Sequence, residues 1–287
     1  MVAQPAAQTQ GLTVNRLDTT LDFDPQFTRA DSYHSPCAQS GRHVGPFSRL
    51  FPSLTFYLRL SVPVAHLCGT ALWGDCHDGV WVLDSARVAR ALEASGCPLH
   101  VEGMEHITAS DKPCVFVANH MSTLETFVLP SIIRPRRPVT FVVKDSLMRI
   151  PGFAQALGRR NPVVVGRKNP REDLQTVLTE GVERLRGGVS VIVFPQSTRT
   201  TVFNPAKFNT IGIKLAKRAG VPVVPLALLT DAWAQGKHIK DFGPIRHGQA
   251  IHFHFHPPMD IHDQGKEEHR YICEFIEQKL KEWRAAP

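Results

Sequence analysis

The sequence predicts an α/β fold: a mostly parallel central sheet covered by helices, with an N-terminal helical segment in front of it. Three observations carry this. Short valine-rich runs such as PVTFVVK (138–144) and VPVVPLAL (221–228) are apolar at nearly every position, as in strands buried on both faces. Other segments repeat their apolar residues with a helical period, most clearly PREDLQTVLTEGVERLRGG (170–188). The two kinds alternate along most of the chain, which a single sheet accommodates through parallel crossovers. With 287 residues, 43% of them hydrophobic and 21% charged, the chain has enough apolar surface for one large domain or a domain with an appendage.

Residues 1–48 are rich in Gln, Thr, Ser, Pro and Asp and read as an irregular arm. The first ten residues lack a basic start and an apolar core, so no secretory signal is expected. Residues 49–98 form the N-terminal helical segment. Its most apolar part, RLFPSLTFYLRLSVPVAHLCGTALWG (49–74), is interrupted by Arg59, Pro63 and His66 and makes a poor spanning helix. Two readings stand. It lies in a membrane interface, anchored by Phe51, Phe56, Tyr57 and Trp73, or it is a buried helix pair packed on the main domain. SARVARALEA (85–94) is helical, with Val88, Ala91 and Leu92 on one face.

From residue 99 the alternation is regular. PLHVEGM and PCVFVAN read as strands, TLETFVLPSII as a helix, PVTFVVK and NPVVVG (161–166) as strands. The 170–188 helix closes at Gly187 and Gly188. VSVIVFP is a strand, GIKLAKRAG (212–220) a helix, VPVVPLAL and AIHFHFH strands, and GKEEHRYICEFIEQKLKEWR a terminal helix.

The net charge of +7 favours anionic partners: nucleic acid, anionic lipid headgroups or phosphorylated substrates. No nucleic-acid module or interleaved aromatic pattern is present, so nucleic acid is not expected. RPRRP (134–138) and GRR (158–160) read as solvated loops, or more sharply as a surface for acidic lipids or donor phosphates. The six cysteines, at 37, 68, 76, 97, 114 and 273, are scattered and form no C-x-x-C pair, which fits reduced thiols in the cytosol.

Two strand ends carry chemistry. ANHMSTLET (118–126) follows one apolar run and VIVFPQSTRT (191–200) contains another. Ligand sites in open α/β sheets gather beyond the carboxyl ends of strands, so neighbouring strands would bring His120, Glu125, Ser197, Thr198 and Arg199 to one crevice. A histidine can take a proton from an alcohol near neutral pH, and a carboxylate on its other nitrogen would fix the tautomer and stabilise the imidazolium. Arg199 offers a planar fork for phosphate. The ordinary alternative is a capping box, in which Ser122 caps a helix and Glu125 reaches back to the backbone. In IHFHFHPPMDIHD, the side chains of His252, His254 and His256 share one strand face. They are either zinc ligands of a metal-dependent hydrolase or a partly exposed face with Phe253 and Phe255 packed inward. No metal site is expected, because the catalytic-zinc signatures are missing.

NHMSTLE resembles the N-H-x4-D block of the glycerolipid acyltransferase superfamily. FPQSTRT resembles its F-P-E-G-T-R-S block, VPVVPLAL its closing V-P-[IV]-[IV]-P-V block, and NPVVVGRKN its arginine-bearing block. All four occur in the family's order, over about residues 99–260. The resemblance implies an acyltransferase-like catalytic domain over 99–287. It would move a fatty acyl group from an acyl thioester to a hydroxyl of a lysophospholipid or glycerolipid-like acceptor. No cofactor is implied beyond the acyl-CoA or acyl-carrier-protein co-substrate. It further implies an anionic membrane surface as partner and a peripheral place on the cytoplasmic membrane. His120 resembles the general base and Glu125 its orienting acid. Arg167, Gln196, Ser197, Thr198, Arg199 and Lys207 match substrate-binding positions. Four positions depart from the family: Glu125 for aspartate, Gln196 for glutamate, Ser197 for glycine and Thr200 for serine. The alternative these raise is a catalytically weak or inactive lipid-binding module on the same fold.

Overall fold

The valine-rich runs line up as one eight-stranded sheet in the computed structural model, which describes residues 30–36, 44–196 and 198–285. The strands are β1 (Tyr33–His34), β2 (Leu99–Glu102), β3 (Val115–Ala118), β4 (Val139–Lys144), β5 (Val163–Val165), β6 (Ser190–Val193), β7 (Val223–Leu229) and β8 (Ile251–Phe255). The helices are α1 (Pro46–Leu50), α2 (Pro52–Trp73), α3 (Asp78–Ala94), α4 (Leu124–Ile133), α5 (Phe153–Gly158), α6 (Pro170–Arg186), α7 (Ile211–Ala219) and α8 (Lys266–Ala285). Across the sheet the order is β1-β2-β8-β7-β3-β6-β4-β5. β7, β3, β6, β4 and β5 run parallel, β8 turns antiparallel against β7, and β1 closes the edge antiparallel to β2.

The two-residue period of each strand divides its side chains between two cores. Phe116 and Ala118 of β3 pack with α3 and α4, through Leu92, Leu124, Val128 and Ile132. Val115 and Val117 face α6, α7 and α8, through Val182, Ile213 and Ile276. Burial on both faces explains why β3 and β7 read as unbroken apolar runs.

The connections place the site. From β3 the chain passes through α4 to β4 on one side, and from β6 through α7 to β7 on the other. Adjacent strands whose connections leave in opposite directions open a crevice at their carboxyl ends. Val117 of β3 stands opposite Val193 of β6, so the two chemistry-bearing ends are neighbours, as expected.

The apolar segment 49–74 is neither a buried pair nor an evenly exposed helix. Pro63 sits inside a continuous α2, buried, where it removes one backbone donor without ending the helix. Phe56 and Leu60 are buried. Leu54, Leu58 and Val62, at four-residue spacing, form an exposed stripe on the opposite side. Two expected anchors therefore have other work. Phe56 meets Trp233 edge-on with ring centroids 4.7 Å apart, and the Tyr57 hydroxyl donates to the Gly243 carbonyl at 2.6 Å. Phe51 and Trp73 do point outward. His66 has a polar partner within the fold: its Nδ1 meets the buried Asp84 carboxylate of α3 at 2.8 Å. Among the described residues no helix is long and apolar enough to cross a membrane.

Most of the expected N-terminal arm lies outside the described residues. Within the described part, Tyr33 and His34 are strand rather than irregular chain, and the buried Tyr33 hydroxyl donates to Glu93 at 2.6 Å. The basic clusters are not solvated loops. Arg134 and Arg160 both pair with Asp78, and Arg160 also lies over the Trp81 ring. Arg136 donates to the Ala30 carbonyl, and Arg137 to those of Lys112 and Ser110. These guanidiniums tie carbonyls and the Asp78 carboxylate together where strands and helices end.

Candidate active site

Where β3 ends, Asn119 replaces the ladder with its side chain. Its amide donates to the Leu228 carbonyl and accepts from the Leu228 N–H, both at 2.8 Å, fastening the strand end to β7. The next residue, His120, is held on three sides. Its N–H donates to Gln196 Oε1 at 2.6 Å, its carbonyl accepts from Thr200 N at 3.0 Å, and its ring stacks on Phe194 with centroids 4.3 Å apart. The imidazole is 12% exposed.

Glu125 serves both as a cap and as a partner of His120. It is fully buried in the first turn of α4. Its Oε1 accepts from Met121 N at 2.6 Å, Ser122 N at 3.0 Å and the Thr230 hydroxyl at 2.8 Å. Its Oε2 accepts from Ser122 N at 3.1 Å and faces His120 Nδ1 at 3.5 Å. The last distance is an electrostatic contact, longer than a hydrogen bond. Of the capping box expected from Ser122-x-x-Glu125 only the glutamate half forms: Glu125 reaches back to Ser122 N, whereas Ser122 Oγ accepts from Leu124 N at 3.1 Å in a tighter turn and Thr123 takes the N-cap place. Burial alone would raise the Glu125 carboxyl. The facing His120 and the N–H donors of Met121 and Ser122 outweigh it and hold the group below its ordinary value. The site thus keeps a carboxylate charged inside the protein, against one edge of an imidazole.

One arginine stands beside this pair and a second follows β5. Arg199 Nη1 donates to the Thr123 hydroxyl, and Nη2 pairs with Asp241 Oδ1 at 2.5 Å. Arg167 follows β5 with a left-handed φ of 54°, a conformation secured where Asp173 Oδ1 accepts from Gly166 N at 3.0 Å and Arg167 N at 3.2 Å. Burial lowers the Arg167 guanidinium from its ordinary value, Asp173 pulls the other way, and repulsion from Arg199 adds to the lowering. Guanidiniums at strand ends favour an anion such as phosphate. His120, Glu125, Gln196 and Arg199 therefore come together, and Arg167 stands at the end of β5, within electrostatic range of Arg199. Thr198 and Lys207 stand exposed on the segment after β6. Among the described residues no hydrogen bond or ion pair joins either of them to the group. Ser197 lies outside the described residues.

Comparison with known proteins bears on this geometry. A family model described as Acyltransferase matches residues 98–229. The chain is 30% identical over 226 residues to the 1-acyl-sn-glycerol-3-phosphate acyltransferase of Pseudomonas aeruginosa, a match covering 78% of this chain and 80% of that one. The chain belongs to the glycerolipid acyltransferase superfamily. It is also similar to a chloroplastic 1-acyl-sn-glycerol-3-phosphate acyltransferase of Brassica napus, 32% identical over 129 residues, 45% of this chain and 36% of that one. The crystal structure of the 1-acyl-sn-glycerophosphate acyltransferase of Thermotoga maritima shares the fold, with a TM-score of 0.61 and 24% identity over 83% of this chain and 97% of that one.

Within this acyltransferase the departures from the family blocks acquire physical reasons. Glu125 is one methylene longer than the family's aspartate, and the extra reach lets one carboxylate serve the helix start, Thr230 and His120 together. Gln196 is buried, and its amide oxygen positions the His120 backbone. Several contributors were not visible as site residues in the sequence. Phe194 and Thr230 lie at the ends of β6 and β7, the first within a block already singled out and the second two residues beyond one. Asp241 and Gln235 lie in the β7–β8 loop, which has no pattern to mark them.

The histidines of β8 have other partners. Phe253 and Phe255 face inward as expected. His252 stacks on Trp283 of α8 and on His100 of β2, His254 meets Glu102 at 2.8 Å, and His256 meets the Tyr271 hydroxyl at 2.8 Å. Among the described residues no group of three or more His, Cys, Asp or Glu is arranged to hold a metal ion.

Proposed function

We propose that this acyltransferase moves a fatty acyl group from an acyl thioester, carried on coenzyme A or a carrier protein, to a hydroxyl of a lysophospholipid. The observation that carries the reading is His120, immobilised on Phe194 with a buried charged carboxylate at its Nδ1 edge and Arg199 held on Thr123 nearby. The names of the curated relatives support a lysophosphatidate-type acceptor. The proton on Nδ1 faces Glu125, which leaves Nε2 as the base. Nε2 takes the proton of the acceptor hydroxyl as its oxygen attacks the thioester carbonyl. The tetrahedral intermediate then collapses, breaking the C–S bond, and the proton on Nε2 passes to the departing thiolate. Glu125 stabilises the imidazolium between these steps. Arg199 and Arg167 hold the acceptor's phosphate, and the exposed stripe of α2 rests against an anionic membrane surface, which brings the acceptor to the site.

The test is thioester-dependent acylation of several lyso-lipids by the wild type and His120→Ala. Loss of a positioned general base costs about 10²- to 10⁴-fold. Equal rates would overturn the mechanism. Lipid binding without turnover on any thioester would favour the non-catalytic module instead.

A further inference from the structure

The loop between β7 and β8, residues 230–250, reaches over the active site. Its stem is fixed. Trp233 and Ile245 are buried and bridge the two sides, and Ala234 N donates to Pro244 O at 3.0 Å. Gly243 passes so close to Ala234 that any Cβ would collide with its carbonyl. Gln235 Nε2 donates to the Arg199 carbonyl at 3.0 Å, which registers the loop on the site. Beyond the stem, residues Lys237 to Phe242 project outward, closed by a turn in which Phe242 N donates to Ile239 O at 3.0 Å. Ile239 and Phe242 are exposed, and Phe242 lies against Tyr57 of α2.

From this tip Asp241 turns back to the site. Its Oδ1 accepts from Arg199 Nη2 at 2.5 Å and from the Thr123 hydroxyl at 3.1 Å. It is a carboxylate on the guanidinium that Proposed function assigns to the acceptor's phosphate. We propose that Asp241 competes with the acceptor's phosphate for Arg199, so that an acceptor must displace it to bind. Three features support this. The Asp241 side chain is 51% exposed, so its pairing is weak enough to exchange. A phosphate dianion offers Arg199 two oxygens in fork geometry and more charge than one carboxylate. Arg167 adds a second cation that rewards the higher charge. The competition makes the site selective: a dianionic phosphomonoester outcompetes Asp241, and a neutral headgroup has nothing with which to displace it. At the tip, the exposed Phe242 lies against Tyr57 of α2, the helix that carries the apolar stripe.

This rests on the assignment of Arg199 to a phosphate, and the experiment separates the two. Binding of inorganic phosphate to the full chain is measured by titration calorimetry for the wild type, Asp241→Asn, Asp241→Glu and Arg199→Gln. Asp241→Asn should bind about two- to fivefold tighter, Asp241→Glu like the wild type, and Arg199→Gln much more weakly. In acylation assays Asp241→Asn should lower the KM for a phosphate-bearing lyso-lipid by the same factor, with a smaller change in kcat and none in the KM for a monoacylglycerol. Equal or weaker phosphate binding by Asp241→Asn overturns the competition, whatever the acylation result. Absence of acylation by the wild type overturns the proposed reaction, and the phosphate titration still decides the role of Asp241.

Discussion

At the scale of single residues, Glu125 carries two duties that variants can separate. Its Oε1 holds the start of α4 and Thr230, and its charge serves His120. Glu125→Gln keeps an acceptor oxygen for the N–H groups and removes the charge. It should cost about 10²-fold in kcat and little in unfolding temperature. Glu125→Ala strands the N–H groups of Met121 and Ser122 and the Thr230 hydroxyl. At about 1–3 kcal/mol for each orphaned group, it should lose roughly 3 kcal/mol or more in denaturant titration. A Gln variant as active as the wild type would remove Glu125 from the chemistry. The group's pKa is depressed in the fold, so its stabilisation is present above the ordinary value near 4.5 and fades only as pH falls through the lower folded value.

At the scale of elements, the edge of the sheet predicts an acid sensitivity. His34 of β1, His100 of β2 and His252 of β8 lie opposite one another in register. Glu102 flanks them on β2, and α8 covers His252 with Trp283 and the next histidine of β8, His254, with Phe275 and Lys279. Burial, and then the neighbouring His100, lower His252 from 6.5 to about 4; burial lowers His100 too. Between these values the unfolded chain binds the proton and the folded one does not, so stability falls as pH drops from 6.5 toward 4. His252→Phe keeps the stack on Trp283 and removes the titration. It should flatten the fall of melting temperature across that range, followed by calorimetry at stepped pH, and an unchanged slope would show that other groups set it. The same strand shows what the sequence made legible. Period two placed Phe253 and Phe255 inside and the histidines on the other face. What covers those histidines is decided by α8, whose packing depends on sheet order rather than on any local pattern. Likewise the His120 and Arg199 blocks were legible because strand ends concentrate chemistry. Asp241 was not, because a 21-residue loop without a period leaves its contacts to tertiary structure.

At the scale of the whole molecule, charge and apolar surface act together. Part of the +7 is spent internally, since Arg134, Arg136, Arg137 and Arg160 pair with an acid or with carbonyls inside the fold. Arg49 and Arg59 remain exposed around α1 and α2, beside the stripe of Leu54, Leu58 and Val62. Exposed leucines flanked by cations suit the boundary between lipid headgroups and acyl chains, where apolar burial supplies affinity and charge supplies preference for anionic lipid. The two contributions respond to different variables. Salt screens the charges over about 10 Å at 0.1 M and leaves the stripe untouched. The wild type should therefore sediment with anionic vesicles at low salt, less so at high salt, and less with zwitterionic vesicles. Replacing Leu54, Leu58 and Val62 together with serine should weaken binding at both salt levels. The side chains are only partly exposed, so each contributes about half of a full burial, near 1 kcal/mol, for a combined loss of roughly a hundredfold. Because the stripe faces away from the core, the triple variant should keep the wild-type melting temperature. A wild type that stays in the supernatant with anionic vesicles at low salt would leave the acceptor to reach His120 from solution, and the stripe would need another partner.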